Sequence, residues 1–230
     1  MSGKTFEVYG LRKDGVEFPM KISLSGWKTG KDIYYSGIIR DISVRKKYEE
    51  TLREMSIKDG LTGLNNYSYF YDRLVGEIPR YKRNKRPLSV LMLDVDSFKE
   101  VNDTKGHLEG DDVLIRIAKI IEVHVRGGID TVVRYGGGEF AIVLPETSEE
   151  EAERIAQRIR RAVRTTRFGR DEETYNITIS IGVSSVNYLP EGSDATGKIK
   201  DLLVDFADKA LYYCKNKGGD LIKIYDPKIG

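Results

Sequence analysis

The stretch Val132-Val133-Arg134-Tyr135-Gly136-Gly137-Gly138-Glu139-Phe140-Ala141-Ile142-Val143-Leu144 constrains the fold more than any other part of the chain. Two apolar, β-prone runs flank three glycines and one acid, which predicts strand, tight turn and strand. Two readings of the turn stand side by side. In the first, glycine serves a hairpin because it reaches positive φ without steric cost. In the second, a turn stripped of side chains lets a phosphate approach the backbone, with Glu139 beside it as a metal ligand.

A hairpin needs a sheet to join, and its neighbours supply one. Leu88 to Val95 is nearly continuous apolar and reads as a buried strand. Helices are predicted over Tyr67–Arg83, over Asp111–Val125 with Val113, Leu114, Ile117, Ile120 and Ile121 inward, from Thr147-Ser148-Glu149 to about Thr165, and over Asp201–Lys217. Further strands are expected over Asn176–Val186 and Leu221–Tyr225, with Gly218-Gly219 ending the last helix. The order describes an α+β fold, a central and mostly antiparallel sheet flanked by helices.

Ahead of this lies a smaller module. Thr5–Leu11, Val16–Leu24 and Ile33–Ile39 read as strands, with turns at Lys13-Asp14-Gly15 and Gly26–Asp32. Such a meander is too small to bury a core unaided. The words Arg12-Lys13-Asp14-Gly15, Phe18-Pro19-Met20 and Ile39-Arg40-Asp41-Ile42-Ser43 resemble the C-terminal half of a PAS sensor domain, so residues 1–43 are assigned as a partial PAS β-meander. Met1-Ser2-Gly3 reads as an added leader, because the text after it reads as mid-domain. Residues 44–58 lack Gly and Pro, and Tyr48, Leu52 and Met55 fall at helical spacing. They are expected to form a linker helix and short coiled-coil seam joining two copies of the chain.

The balance of 38 basic and 36 acidic residues argues against a dedicated nucleic-acid-binding protein but leaves a small anionic ligand open. One cysteine, Cys214, fits a reducing compartment, and a cytoplasmic location is expected. No run approaches the length of a membrane span, and no signal-peptide pattern opens the chain.

Chemistry concentrates where the buried strand ends. Asp94 and Asp96 there are costly to bury unless paired or bound to metal. A carboxylate of this pair, the Val95 carbonyl and Glu139 on the neighbouring strand end make a hard-oxygen set that suits Mg²⁺; the plainer reading has these acids capping turns. Lys99 is placed to meet phosphate, and Asn102 carries an amide able to read a base edge. Asp111, read at a helix start, is either an N-cap or an acceptor for guanine N1–H and amine. His107 has no second histidine nearby, so zinc is not expected. Cys214 reads as core.

Four ordered motifs carry a second and stronger resemblance. Asp59-x-Leu61-Thr62-Gly63-Leu64-x-Asn66, Asp94-Val95-Asp96-x-Phe98-Lys99-x-x-Asn102-Asp103, Gly106-His107-x-x-Gly110-Asp111 and Arg134-Tyr135-Gly136-Gly137-x-Glu139-Phe140 are similar to those of the GGDEF family, and Ala210-Leu211-Tyr212-x-x-Lys215 continues the match. The resemblance assigns residues 59–230 to a GGDEF domain. It implies a fold like nucleotidyl cyclases and polymerase palm (ferredoxin-like) domains. It also implies a diguanylate cyclase activity in which two GTP become cyclic di-GMP across a homodimer, with Mg²⁺ or Mn²⁺. By that comparison Asp94, Val95 and Glu139 hold metal. Lys99 and Lys215 contact phosphate, Asn102 and Asp111 read guanine beside Phe98, and Gly136 and Gly137 admit the triphosphate.

Three departures follow from the same comparison. Gly138 stands where the family has Asp or Glu, a metal ligand implicated in activating the attacking hydroxyl, so activity is expected to be reduced or lost. The alternative is a degenerate module that binds GTP and signals by contact. Gly127 occupies the arginine position of the family's product-inhibition motif, with Arg126 one place early and Asp130 in register. Gly219 and Tyr67 stand where many members have arginine.

Overall fold

The computed structural model describes residues 4–30, 32–48, 57–170, 173–190, 192–193 and 195–229. The chain divides into two units, Met1–Ser56 and Ile57–Gly230.

The first unit is an antiparallel sheet of β1 (Lys4–Leu11), β2 (Glu17–Thr29) and β3 (Asp32–Asp41) in that order. Its register sets Phe6 beside Ile22 beside Ile39, and Val8 beside Met20. Period-two alternation therefore collects one apolar face, whose Ile39 is 64% exposed. The turn expected at Gly26–Asp32 is shorter than the sequence suggests. β2 runs on to Thr29, because Trp27 and Tyr34 pair across the ladder and stack at 6.0 Å, and Gly30 with φ 63° makes the turn. Residues 43–48 are helical. Leu52 and Met55 of the seam lie outside the described residues.

In the second unit a six-stranded sheet has the order β11-β10-β5-β7-β6-β4. Its strands are β4 (Asn65–Asn66), β5 (Leu88–Val95), β6 (Thr131–Gly136), β7 (Glu139–Pro145), β10 (Ile179–Ser185) and β11 (Ile222–Ile224). β5 is antiparallel to both β10 and β7, and β6 to β7, whereas β4 and β11 add in parallel at the two edges. Helices cover both faces. α1 (Tyr67–Asn84) and α5 (Thr196–Asn216) pack with Val90, Met92, Val133, Ala141 and Val143. α3 (His107–Val123) and α4 (Glu149–Thr165) pack with Leu91, Leu93, Val95, Phe140 and Ile142. β5 thus buries both of its sides, which is why its sequence does not alternate. α4 starts where the sequence places it, with Ser148 and Glu151 forming a reciprocal capping box. Among the described residues no helix is long and apolar enough to cross a membrane.

Three elements depart from expectation. α2 (Phe98–Lys105) buries none of its residues, so no apolar stripe announces it. The hairpin of β8 (Arg167–Arg170) and β9 (Glu173–Asn176) has four residues a strand, too few for a periodic signal. α3 begins at His107 rather than Asp111. Gly106, at φ 89° and ψ 160°, ends α2 and caps α3 with no side chain. Asp111 is therefore not an N-cap; it lies within the helix, which frees its carboxylate from that duty.

Candidate active site

The glycine turn between β6 and β7 is built on an irregular register. Arg134 faces Phe140, but Gly136 faces Glu139, so the ladder slips by a bulge before the turn. Gly137 takes φ 41°, a left-handed value that a glycine adopts without strain. The tip is tied at two points. The Val95 N–H donates to the Gly138 carbonyl at 3.1 Å, fastening it to the end of β5. The Arg134 guanidinium donates to the Gly137 carbonyl at 3.0 Å and also reaches Asp59 at 3.3 Å. Asp59 accepts in addition from the Thr62 N–H and hydroxyl, and together these donors hold its carboxyl below the usual range against the opposing effect of burial. Nothing in the sequence pairs Asp59 with Arg134.

The β5–β7 register places Asp94 directly opposite Glu139. Both follow the face of Met92 and Ala141, toward α1 and α5. Burial pushes the Asp94 carboxyl up, and nearby Asp96 adds to this, while Lys215 opposes it. Glu139, whose side chain still reaches solvent, is pushed up by withdrawal from water and then by repulsion from Asp94 and Asp208. Asp208 was not singled out by sequence reasoning; it sits on α5 two helical turns before Lys215, at a spacing that returns to the same face.

Asp96 has the opposite surroundings. Its carboxylate accepts from Thr178 Oγ1 at 2.7 Å, Ser180 Oγ at 2.8 Å, Lys215 Nζ at 2.8 Å and the Asp220 N–H at 2.7 Å. Burial alone would raise it, but these donors outweigh burial and hold it below the usual carboxylate range. Lys215, expected at phosphate, is engaged here, with Nζ also 3.1 Å from Asp94 Oδ1. Gly219, at φ 78°, lies so close that a Cβ would stand 2.8 Å from the Asp96 carboxylate. That position has no room for the arginine of the family comparison.

On the other side of the hairpin tip, α2 and α3 meet. Gly110 is buried, and a Cβ there would fall 2.0 Å from Asn102 Oδ1, so only glycine lets the Asn102 amide lie against α3. Asp111 follows next along the helix. The Phe98 ring faces the turn, with ring atoms 3.0 and 3.1 Å from where a Gly138 Cβ would stand. Lys99 is exposed on α2. The structure therefore gathers Asp94, Val95, Glu139, the glycine tip and Phe98 around one end of the sheet, with Asn102 lying against Gly110, the residue before Asp111.

Of the other sequence candidates, Cys214 is buried, with Sγ 3.6 Å from the Ile181 carbonyl and burial pushing its thiol up to about 11. His124 is held by Nδ1 to the Ile120 carbonyl at 2.7 Å. Arg126 grips Asp130 at 2.6 Å and also donates to the Pro145 carbonyl and Thr147 Oγ1, both at 2.7 Å. The Asp130 side chain is fully buried by this clasp. Tyr67 packs on Tyr71 and Tyr135 at 4.7 and 4.8 Å, an aromatic cluster where the comparison expected a cation.

Two hard carboxylates face each other, both pushed up by burial and like charge, with Lys215 the cation that opposes both shifts. That imbalance fits Mg²⁺ or Mn²⁺. Among the described residues no three acidic, His or Cys side chains converge to hold a metal.

A family model described as diguanylate cyclase, GGDEF domain, matches residues 56–220. Diguanylate cyclase A of Treponema denticola is 40% identical over 176 residues, which is 75% of this chain and 45% of that protein. The chain thus spans less than half the length of this curated relative. The crystal structure of diguanylate cyclase SiaD from Pseudomonas aeruginosa, in complex with its activator SiaC, superposes with a TM-score of 0.67 at 36% identity, over 79% of this chain and 66% of that one. The coiled coil and GGDEF domain of DgcB from Caulobacter crescentus, in complex with c-di-GMP, superposes with a TM-score of 0.71 at 26% identity, over 80% and 93%. The palm-like fold of these domains is the one found here, and the chain belongs to the diguanylate cyclase GGDEF-domain family.

Proposed function

We propose that this chain binds GTP with Mg²⁺ or Mn²⁺ and is built to condense two GTP into cyclic di-GMP across a homodimer, with turnover reduced or lost because Gly138 replaces an acid. The observation that carries the reading is the facing of Asp94 and Glu139 beside a glycine tip, with the Asn102 amide against Gly110, one residue before Asp111 on α3.

Each residue has a physical task. The tip of Gly136, Gly137 and Gly138 offers no side chain to exclude a phosphate. Lys99 is exposed and free to swing toward negative charge. The Asn102 amide and the Asp111 carboxylate offer the acceptors and donor that a guanine edge requires. Asp94, the Val95 carbonyl and Glu139 are the groups that would hold metal, which when bound supplies Lewis-acid stabilisation of the phosphoryl group and a more acidic hydroxyl. Two bonds form, each joining the 3′-oxygen of one GTP to the α-phosphorus of the other, and at each α-phosphorus the bond to pyrophosphate breaks, so that two pyrophosphates leave. Each copy holds one GTP, so two copies must face each other, a geometry suited to a seam along residues 44–58. The proton of the attacking hydroxyl needs an acceptor, and position 138 provides none.

Residues 4–41 fit the closing strands of a sensor module, and the substrate fits a cytoplasmic setting. Arg126 and Asp130 saturate each other, which supports weak product inhibition at that motif.

The test is incubation with GTP and Mg²⁺ followed by chromatography of the nucleotides, beside the Gly138→Asp variant. The variant is expected to make cyclic di-GMP about 10²–10⁴ times faster. Equal rates would overturn the role given to Gly138. A Gly138→Asp protein that binds GTP but makes no product would favour the second reading, a GTP-binding signalling module. That reading has its own support in the Phe98 ring, which crowds the space an acid at 138 would use.

A further inference from the structure

Lys215 has two carboxylate partners that do not need it equally. Asp96 already accepts from Thr178, Ser180 and the Asp220 N–H, so its charge is matched without the ammonium. Asp94 is different. Among the described residues Lys215 is its ion-pair partner, at 3.1 Å, and the ammonium also lies 3.4 Å from the Asp94 carbonyl. The lysine sits on α5, whose Ala207 and Leu211 are locked against the sheet; a Cβ on Gly182 would be 2.0 Å from the Ala207 carbonyl. Its stem is therefore fixed while its head can choose between neighbouring acids.

We propose that Lys215 is the resident counter-ion of the Asp94–Glu139 pair, and that it competes with a divalent metal for Asp94. This rests on the metal reading of those two acids. A metal ion at Asp94 removes the reason for the ammonium to stay on that carboxylate, and Asp96 keeps the lysine within the site. The freed head then becomes available to a polyphosphate. Metal and triphosphate would bind cooperatively for this reason, since each favours the same displaced lysine. A lysine that only fastened α5 to β5 would behave otherwise, because removing it would loosen the acids and weaken metal binding.

The experiment measures Mn²⁺ binding by electron paramagnetic resonance in the absence of nucleotide, for the wild-type chain, Lys215→Met and Lys215→Arg. Removing one adjacent positive charge is expected to tighten Mn²⁺ binding about tenfold in Lys215→Met, and Lys215→Arg should return it toward wild type. Unchanged or weaker binding in Lys215→Met overturns the counter-ion role. Absence of Mn²⁺ binding in all three overturns the metal reading as well, whereas equal binding in all three overturns the counter-ion role and leaves the metal reading standing. A second measurement needs no variant. The side-chain ammonium resonance of Lys215 should shift as Mg²⁺ is added to the wild-type chain without nucleotide, and a resonance that stays in place overturns the proposal.

Discussion

Asp94 and Asp96 lie two residues apart at the end of one strand, yet they do opposite things. Asp96 is enclosed by four donors, from Thr178 just before β10, from β10, from α5 and from the turn after α5, and its carboxyl is held below the usual range. Asp94 faces another acid, and its carboxyl is pushed above that range. A carboxylate whose acceptor sites are filled by its own fold is part of the structure. One left facing a like charge holds unfavourable energy that a bound cation can relieve. The contrast separates anchor from site without appeal to function.

The largest effect expected from perturbing this contrast comes from adding an acid to the unfilled side. Gly138→Asp should raise cyclic dinucleotide synthesis about 10²–10⁴-fold, read as product formed per minute under saturating GTP and Mg²⁺. On the anchored side, Asp96→Ala leaves a lysine, two hydroxyls and an N–H without their acceptor. It should lower unfolding stability by about 3 kcal/mol in urea titration, the usual scale for breaking a buried charged cluster. If Asp96→Ala melts like wild type, Asp96 is not an anchor. Gly219→Arg forces a side chain onto the Asp96 carboxylate at a left-handed backbone angle, and a loss of about 1–3 kcal/mol is expected. Asp94→Asn should give the reverse pattern, with stability unchanged or slightly raised while Mn²⁺ binding is lost.

The smallest effect is in pH dependence, and its sign differs between the two acids. Asp96 has a lowered value in the folded state. Its stabilisation is complete above the ordinary carboxylate range, near ~4, and is lost as pH falls through the lowered value. Asp94 and Glu139 have raised values. Their protonated forms are favoured by folding, so their contribution declines as pH rises from the ordinary range through the raised values. Denaturant midpoints measured across this range should therefore lose their acid-side fall in Asp96→Asn and their decline at higher pH in Asp94→Asn. Identical profiles for the two variants would remove the distinction.

The family, the hairpin, the buried β5 and the helix start at Thr147-Ser148-Glu149 were legible because each rests on local pattern: periodicity, glycine runs, helix-start chemistry and ordered motifs. α2 was not, since a helix that buries no residue leaves no apolar stripe. The start of α3 was misplaced because its cap is a glycine backbone conformation, which no polar side chain marks. The aromatic packing of Tyr67 and the Arg126 clasp on Asp130, Pro145 and Thr147 were equally invisible, because their partners are distant in the chain.

By itself the sequence determined which residue types were available at the end of β5 and at the glycine tip, and that position 138 carries no acid. Residue pattern alone treated Asp94 and Asp96 alike, as two carboxylates ending a strand; the family resemblance named Asp94 for metal, and the tertiary structure supplied the physical reason. Asp94 is opposite Glu139 by sheet register, whereas Asp96 passes beyond the strand into the reach of Thr178, Ser180, Lys215 and Asp220, residues at least 82 positions away. Whether a buried charge is satisfied depends on donors that folding brings from elsewhere, and local pattern carries no record of them.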